Sequence, residues 1–93
     1  MKVAVIGAGA MGSAVGATLA AHGVEIVTPL EGRSEATKAR ALAAGMREAS
    51  FTECARCDFA LSIVASSQAV PVARAFVAAI GGARPVFVEC NAI

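Results

Sequence analysis

Gly7-Ala8-Gly9-Ala10-Met11-Gly12 places three glycines in six residues, between an apolar run and a helical pattern. Glycine weakens strand and helix alike, so such a run is costly unless a turn or a close backbone approach requires it. The spacing is G-x-G-x-x-G, and a strand precedes it and a helix follows. In that context it predicts a dinucleotide cradle. Gly7 permits the tight strand-to-helix turn, Gly9 lets the backbone approach a pyrophosphate, and Gly12 lets the helix pack closely on the strand. Ala8, Ala10 and Met11 complete the turn. The free amides at the start of the helix then face the anion, aided by the helix dipole.

The identity of the dinucleotide is written at the end of the second strand. An NAD site usually places Asp or Glu there, about 20 residues past the glycines, to hold the ribose diol. That place falls near Leu30, which has no polar group, with Glu31 beside it. Gly32-Arg33-Ser34 follows at once. Arg33 offers a guanidinium fork to a 2′-phosphate. Ser34 offers a hydroxyl and a helix N-terminus to the same anion, with Thr37 or Lys38 one turn further on. The balance favours NADP over NAD, with Glu31 as the group that would serve NAD.

Other chemistry-bearing residues are few. Cys54-Ala-Arg-Cys57 spells C-x-x-C, yet a zinc site would need two more ligands and only His22 and Cys90 remain. An odd, sparse set of three cysteines makes no disulfide framework. Reduced thiols and a cytoplasmic location are expected, with no metal site. His22, the sole histidine, sits beside Gly23 at a helix end and reads as a surface residue.

The elements that must position these groups follow from periodicity. Lys2–Ile6 is a β-branched apolar run, the pattern of a parallel strand buried on both faces. Met11, Val15 and Leu19 recur at helical spacing, with Ala14 and Thr18 beside them. This predicts the core-facing stripe of a helix that ends near His22, with Gly23 as its cap. Val24–Thr28 is a second strand and 29–33 a loop. Ser34 caps a helix over Glu35–Ala44, closed by Gly45. Met46–Ala49 reads as a short edge strand, and Ser50-Phe-Thr-Glu53 has capping-box spacing. Phe59–Val64 is the next buried strand. Ala69–Ile80 is helical, with Val72, Phe76 and Ala79/Ile80 on one face and Gly81-Gly82 as its stop. Val86–Glu89 is the last strand. Strands alternating with helices imply right-handed crossovers and a parallel sheet. The expected fold is α/β, a Rossmann-type doubly wound sheet of strand order 3-2-1-4-5, truncated after about the fifth strand. Its switch point lies between the first strand and Phe59–Val64.

Ninety-three residues make one domain, 1–93, with a modest core. Yet the chain is 57% hydrophobic and 16% charged, with a mean hydropathy of +0.69. That surplus predicts an oligomer or a second domain covering apolar surface. A net charge of +1 and four Phe as the only aromatics speak against nucleic acid. Val3–Val24 carries no charged side chain, but its five glycines and change of period argue against a membrane span or signal peptide.

GAGAMGSAVG over 7–16 resembles the N-terminal cofactor domain of the 6-phosphogluconate dehydrogenase and β-hydroxyacid dehydrogenase superfamily. LEGRS over 30–34, Ala39-Arg-Ala41 with Ala44-Gly45, Leu61–Val64 and Val88-Glu-Cys-Asn-Ala-Ile93 look like its 6-phosphogluconate dehydrogenase-like branch. The resemblance implies an NADP-binding Rossmann domain followed by an all-helical domain that completes the substrate cleft and drives dimerisation. It implies hydride transfer between NADP and a small hydroxy acid. The family's Asn-Arg-Thr after the second strand holds the 2′-phosphate; Gly32-Arg33-Ser34 matches it in kind, about two residues later. Val64, Ala65, Ser66 and Ser67 occupy the family's cofactor-touching loop. Asn91 and Ala92 fall near the nicotinamide. The family's substrate loop and lysine proton donor lie beyond residue 93, so no catalytic residue carries over and the helical substrate domain is absent from this chain.

Two other readings compete. Ketopantoate reductases also carry a GAGAMGS turn and use NADPH, although Cys90–Ile93 and the Glu-Gly-Arg-Ser loop do not look like theirs. A non-catalytic nucleotide-binding or interaction module would use the apolar surface for a partner.

Overall fold

The computed structural model describes residues 1–80 and 85–90, apart from the Ser66 side chain. Nine elements alternate along them: β1 (Lys2–Ile6), α1 (Ala10–Ala21), β2 (Glu25–Thr28), α2 (Glu35–Ala43), β3 (Arg47–Glu48), α3 (Phe51–Cys54), β4 (Phe59–Ser62), α4 (Ser66–Ile80) and β5 (Val86–Glu89). All strand pairs are parallel, in the order β3-β2-β1-β4-β5. This is the expected Rossmann-type sheet. The chain reverses its direction of travel across the sheet between β1 and β4, which opens a crevice at their carboxyl ends.

Register sorts the core into two layers. Ala4 aligns with Val27 and Ala60, and these pack with Cys54, Ala55, Cys57 and Phe76 of the α3/α4 side. Val3 aligns with Ile26 and Phe59; with Val5 these meet Leu30, Ala41 and Met46 of the α1/α2 side. Central β1 is therefore buried on both faces, as its unbroken apolar run requires.

The caps act locally. Ser34 Oγ accepts from Thr37 N–H at 3.2 Å, and Ser50 Oγ accepts from Glu53 N–H at 3.0 Å. The capping box at Ser50 is nevertheless only half made. The Glu53 carboxylate turns away to Lys2 Nζ (2.9 Å) and Arg47 Nη2 (2.7 Å). Arg47 also holds Glu25 at 3.1 Å. This network ties α3 to the starts of β1, β2 and β3. The Arg47 and then the Lys2 hydrogen bonds pull the Glu53 carboxyl down to about 2, from an ordinary 4.5. A depressed folded-state pKa adds stability that is present above the unfolded value and is lost as pH falls toward the folded one. Glu53→Gln should therefore flatten the acid limb. Between about pH 4.5 and 2 the wild type should lose more thermal stability than the variant. Parallel melting curves over that range would sink this account of Glu53. The pair is exposed, so the difference is modest.

Three expectations are corrected. Met11 and Val15 do not face the core: Met11 is 55% exposed, and the buried residues of α1 are Gly12, Ser13 and Gly16. The tight turn after β1 brings the first half of α1 so close that only its smallest residues fit inward there, whereas Leu19, further along the expected stripe, packs on the α1/α2-side core. The last helix begins at Ser66 rather than Ala69, and Pro71 lies within it. Proline's missing N–H reads as a first-turn signal, yet the turn closed by Gln68 N–H on the Ala65 carbonyl (2.8 Å) starts the helix earlier. The fourth strand ends at Ser62, not Val64. The Gly81-Gly82 stop lies outside the described residues. On α4 the predicted face holds: Phe76 is buried, and Val72, Ala79 and Ile80 pack against the same core.

Candidate cofactor site

The turn after β1 is built by close approach. Gly7 has φ +102°, a conformation that side-chain-bearing residues rarely adopt. A Cβ on Gly7 would run into the Ile63 carbonyl, and one on Gly12 into the carbonyl of Gly7 itself. Ile63 N–H donates to the Ile6 carbonyl at 2.8 Å, and Ser13 Oγ donates to the Ala8 carbonyl at 3.1 Å. Ala8 is fully buried beneath the turn. Gly9 is different: a Cβ there would meet nothing within 4 Å. Gly9 is also the N-cap of α1 and supplies no capping side chain, and the first turn of α1 holds no acidic residue. The serine-capped α2 and α3 contrast with it. The first amides of α1 therefore face outward without a side-chain partner, at the positive end of a twelve-residue helix.

Gly7 and Gly9 form one wall of a cleft of about 620 Å³. Glu31 and Arg33, from the loop after β2, form a second, while Val64, Ala65 and Gln68 after β4 form a third. Leu30 is 1% exposed, an anchor that leaves its neighbour Glu31 to face the cleft. Arg33 N–H closes a turn onto the Leu30 carbonyl at 3.0 Å, with Gly32 at φ +77°. Both candidate discriminators thus share one cavity. Neither forms an ion pair among the described residues.

The remaining predicted residues are placed otherwise. Ala10 and Met11 are exposed on the first turn of α1, and Gly12 is buried behind it. Ser34 does not line the cleft; its hydroxyl accepts from Thr37 N–H and donates to Thr37 Oγ1. Ser66 is the first residue of α4. Asn91 and Ala92 lie outside the described residues. Missed by sequence reasoning were Phe51, Gln68 and Val72, all of which line the cleft. The serine cap at Ser50 was the available signal for Phe51, because it sets that ring at the start of a helix on the carboxyl side of the sheet.

A second hollow of about 810 Å³ adjoins the first across Phe51, with Glu31, Glu48 and Glu53 in its walls. Three carboxylates make it a poor seat for a polyanion, whereas the first cleft brings Arg33 and the uncapped start of α1 into one cavity. Cys54 and Cys57 are buried among α3/α4 core residues. Burial pushes the Cys54 thiol up to about 12 and raises Cys57 as well. Such thiols are poor nucleophiles and metal ligands. Among the described residues no cluster of His, Cys, Asp and Glu is arranged for a metal ion. His22 sits at an exposed helix end, its Nδ1 2.8 Å from the Thr18 carbonyl oxygen. Among the described residues, no helix is long and apolar enough to cross a membrane.

The family model for ketopantoate reductase PanE/ApbA matches residues 3–78. The chain belongs to this family. The matched stretch runs from β1 almost to the end of α4 and so contains the glycine turn, the Glu31–Arg33 loop and the cleft. The family that sequence reasoning ranked second is matched by this model; its span ends before Cys90–Ile93 but includes the Glu-Gly-Arg-Ser loop, the two stretches that had argued against it. The resemblance to hydroxyacid dehydrogenases is borne out as well, by a solved structure. Among solved structures the chain is similar to a conserved protein of unknown function reported as structurally similar to 3-hydroxyacid dehydrogenases. Identity is 34%, with a TM-score of 0.87 over 98% of this chain and 34% of that one. A putative F420-dependent NADP reductase from Arthrobacter sp. FB24 shares the fold at 19% identity. Its TM-score is 0.72, over 96% of this chain and 45% of that one. The chain spans about a third of the first and less than half of the second. No curated protein matches it. The chain shares with these structures a Rossmann-type fold, in which ligands bind outside the carboxyl ends of the strands at the topological switch point, where this cleft lies.

Proposed function

We propose that residues 1–93 form the NADP-binding domain of an oxidoreductase that moves hydride between NADP and a small hydroxy acid. The observation that carries this reading is Gly9. It stands where a side chain would enter the cleft, against uncapped helix amides, with Arg33 lining the same cavity. A dinucleotide fits these groups. The amides of Gly9 through Gly12 hold the pyrophosphate, and Arg33 takes the 2′-phosphate as a charged fork. Glu31 would hold a ribose diol in the NAD alternative. Val64, Ala65 and the start of α4 at Ser66 close over the cofactor, and Asn91 is assigned to the nicotinamide end. The bound cofactor supplies hydride chemistry; this domain binds and orients it.

The hydroxy-acid assignment draws support from the 3-hydroxyacid dehydrogenase likeness and from Val88–Ile93. The proton-transfer group is assigned to a further helical domain, which also completes the substrate cleft. Apolar surface supports such a partner: Val70 and Val77 of α4 are 59% and 70% exposed, and Val86 and Val88 of β5 are 51% and 40% exposed. These same faces favour a second reading, a nucleotide-binding interaction module without catalysis.

Paired fluorescence titrations with NADPH and NADH test the proposal. The chain has no Trp or Tyr, so the reduced nicotinamide is a clean probe. NADPH is expected to bind at least ~10-fold more tightly, a difference of about 1.4 kcal/mol. Failure of a folded chain to bind either nucleotide would move the interaction-module reading to the front.

A further inference from the structure

Taking the dinucleotide reading as given, we propose that Phe51 is the platform on which the purine base of the cofactor stacks. The base and the 2′ substituent hang from one ribose. A phosphate on Arg33 and a pyrophosphate on the glycine turn therefore confine the base to the cleft wall next to the Glu31–Arg33 loop. That wall is apolar and consists of Phe51, with Val64 and Val72 also lining the cavity. Phe51 is the sole aromatic residue among the lining side chains, in a chain with only four Phe and no Trp or Tyr.

The ring is held in place by its neighbours. Phe76 meets it edge-to-face, with centroids 6.1 Å apart and planes at 83°. Phe76 is 1% exposed and packs in turn on Phe87 at 4.8 Å. A T-shaped contact covers at most one face of Phe51, and the ring is only half buried. The Ser50 cap fixes the backbone immediately before it. A ring braced by Phe76 and still partly exposed where it lines the cleft is what base stacking needs, and stacking accepts any base because each has a π-face.

The test compares NADPH and 2′,5′-ADP binding to the wild type, Phe51→Leu and Phe51→Tyr. The second ligand keeps the base, the ribose and the 2′-phosphate but lacks nicotinamide. Phe51→Leu is expected to weaken both ligands about tenfold, whereas Phe51→Tyr stays within about twofold of wild type. A folded Phe51→Leu chain that binds both ligands as the wild type does would overturn the proposal and leave the cofactor reading standing. A wild type that binds neither NADPH nor NADH would overturn both. Should Phe51→Leu fail to fold, proton NMR of the wild type decides. With 2′,5′-ADP the Phe51 ring signals are expected to move upfield by the ring current of the stacked base, while those of Phe59 stay. Unmoved Phe51 signals would overturn the platform.

Discussion

Gly7→Ala should unfold roughly 12–24 °C below the wild type, whereas Gly9→Ala should melt close to it and lose cofactor. The two glycines stand two residues apart in one motif, yet they answer to different forces. At Gly7 a methyl group meets two penalties. The φ of +102° is strained for alanine, and the new Cβ would press into the Ile63 carbonyl, a backbone atom that cannot swing aside. Strain of this kind costs about 3 kcal/mol, and each kcal/mol moves the melting point of a domain this size by roughly 4–8 °C. Against a total stability of about 5–15 kcal/mol the loss is severe. At Gly9 the backbone has φ −75° and a Cβ meets nothing within 4 Å. The fold loses at most about 1 kcal/mol through the poorer N-cap, but the methyl group occupies the space assigned to the pyrophosphate. NADPH binding is expected to fall at least ~10-fold. Thermal melts and NADPH titrations of the two variants check this. A Gly9→Ala chain that binds NADPH as well as wild type would remove the pyrophosphate from this turn.

Arg33→Ala should erase the preference for NADPH over NADH. The guanidinium lines the cleft on an exposed loop, so its removal leaves the fold intact. A charge-assisted contact to phosphate contributes about 1.5–3 kcal/mol, roughly 10- to 150-fold in NADPH affinity, and nothing for NADH. Glu31→Gln separates the two discriminators further. If the carboxylate holds a ribose diol, the change weakens NADH. If it only repels a 2′-phosphate across the shared cavity, the change strengthens NADPH. Unequal responses of the two nucleotides are the readout in each case. Arg33→Ala weakening both equally would reduce Arg33 to a general attraction for anions, and the choice of NADP would lose its support.

Strand order, the glycine turn and the helix caps were legible because each rests on short-range chemistry. β1 is a run of apolar residues that only a doubly covered central strand can bury. Ser34 and Ser50 each satisfy an amide three residues on. The crossover rule then leaves little choice of topology. The candidate cleft was legible where one motif carries it, at Gly7 and Gly9 and at Glu31 and Arg33. It was not legible where residues far apart in sequence converge, as Phe51 does with Val64 and Val72 on the α3/α4 side of the sheet.

Helix faces were the other blind spot. Apolar periodicity placed Met11 and Val15 inward, and by hydrophobicity alone that is correct. Distance overrode it. Once Gly7 turns the chain back sharply, the first turns of α1 have no room for a large side chain: a Cβ on Gly12 would strike the Gly7 carbonyl and one on Gly16 would strike Met46. Gly12, Ser13 and Gly16 therefore take the inside there, while Leu19 and Ala20 near the helix end pack on the core. Glu53 shows the same limit: capping-box spacing assigned its carboxylate to Ser50, but two cations brought in by β1 and β3 attract it more strongly than one backbone amide. The residue types and their local spacing were enough for the elements, their order and the tight glycine turn. Which atoms face which, and so whether Glu31 and Arg33 share one cavity with a phenylalanine beside them, depended on long-range packing, because contact energies are set through space and not along the chain.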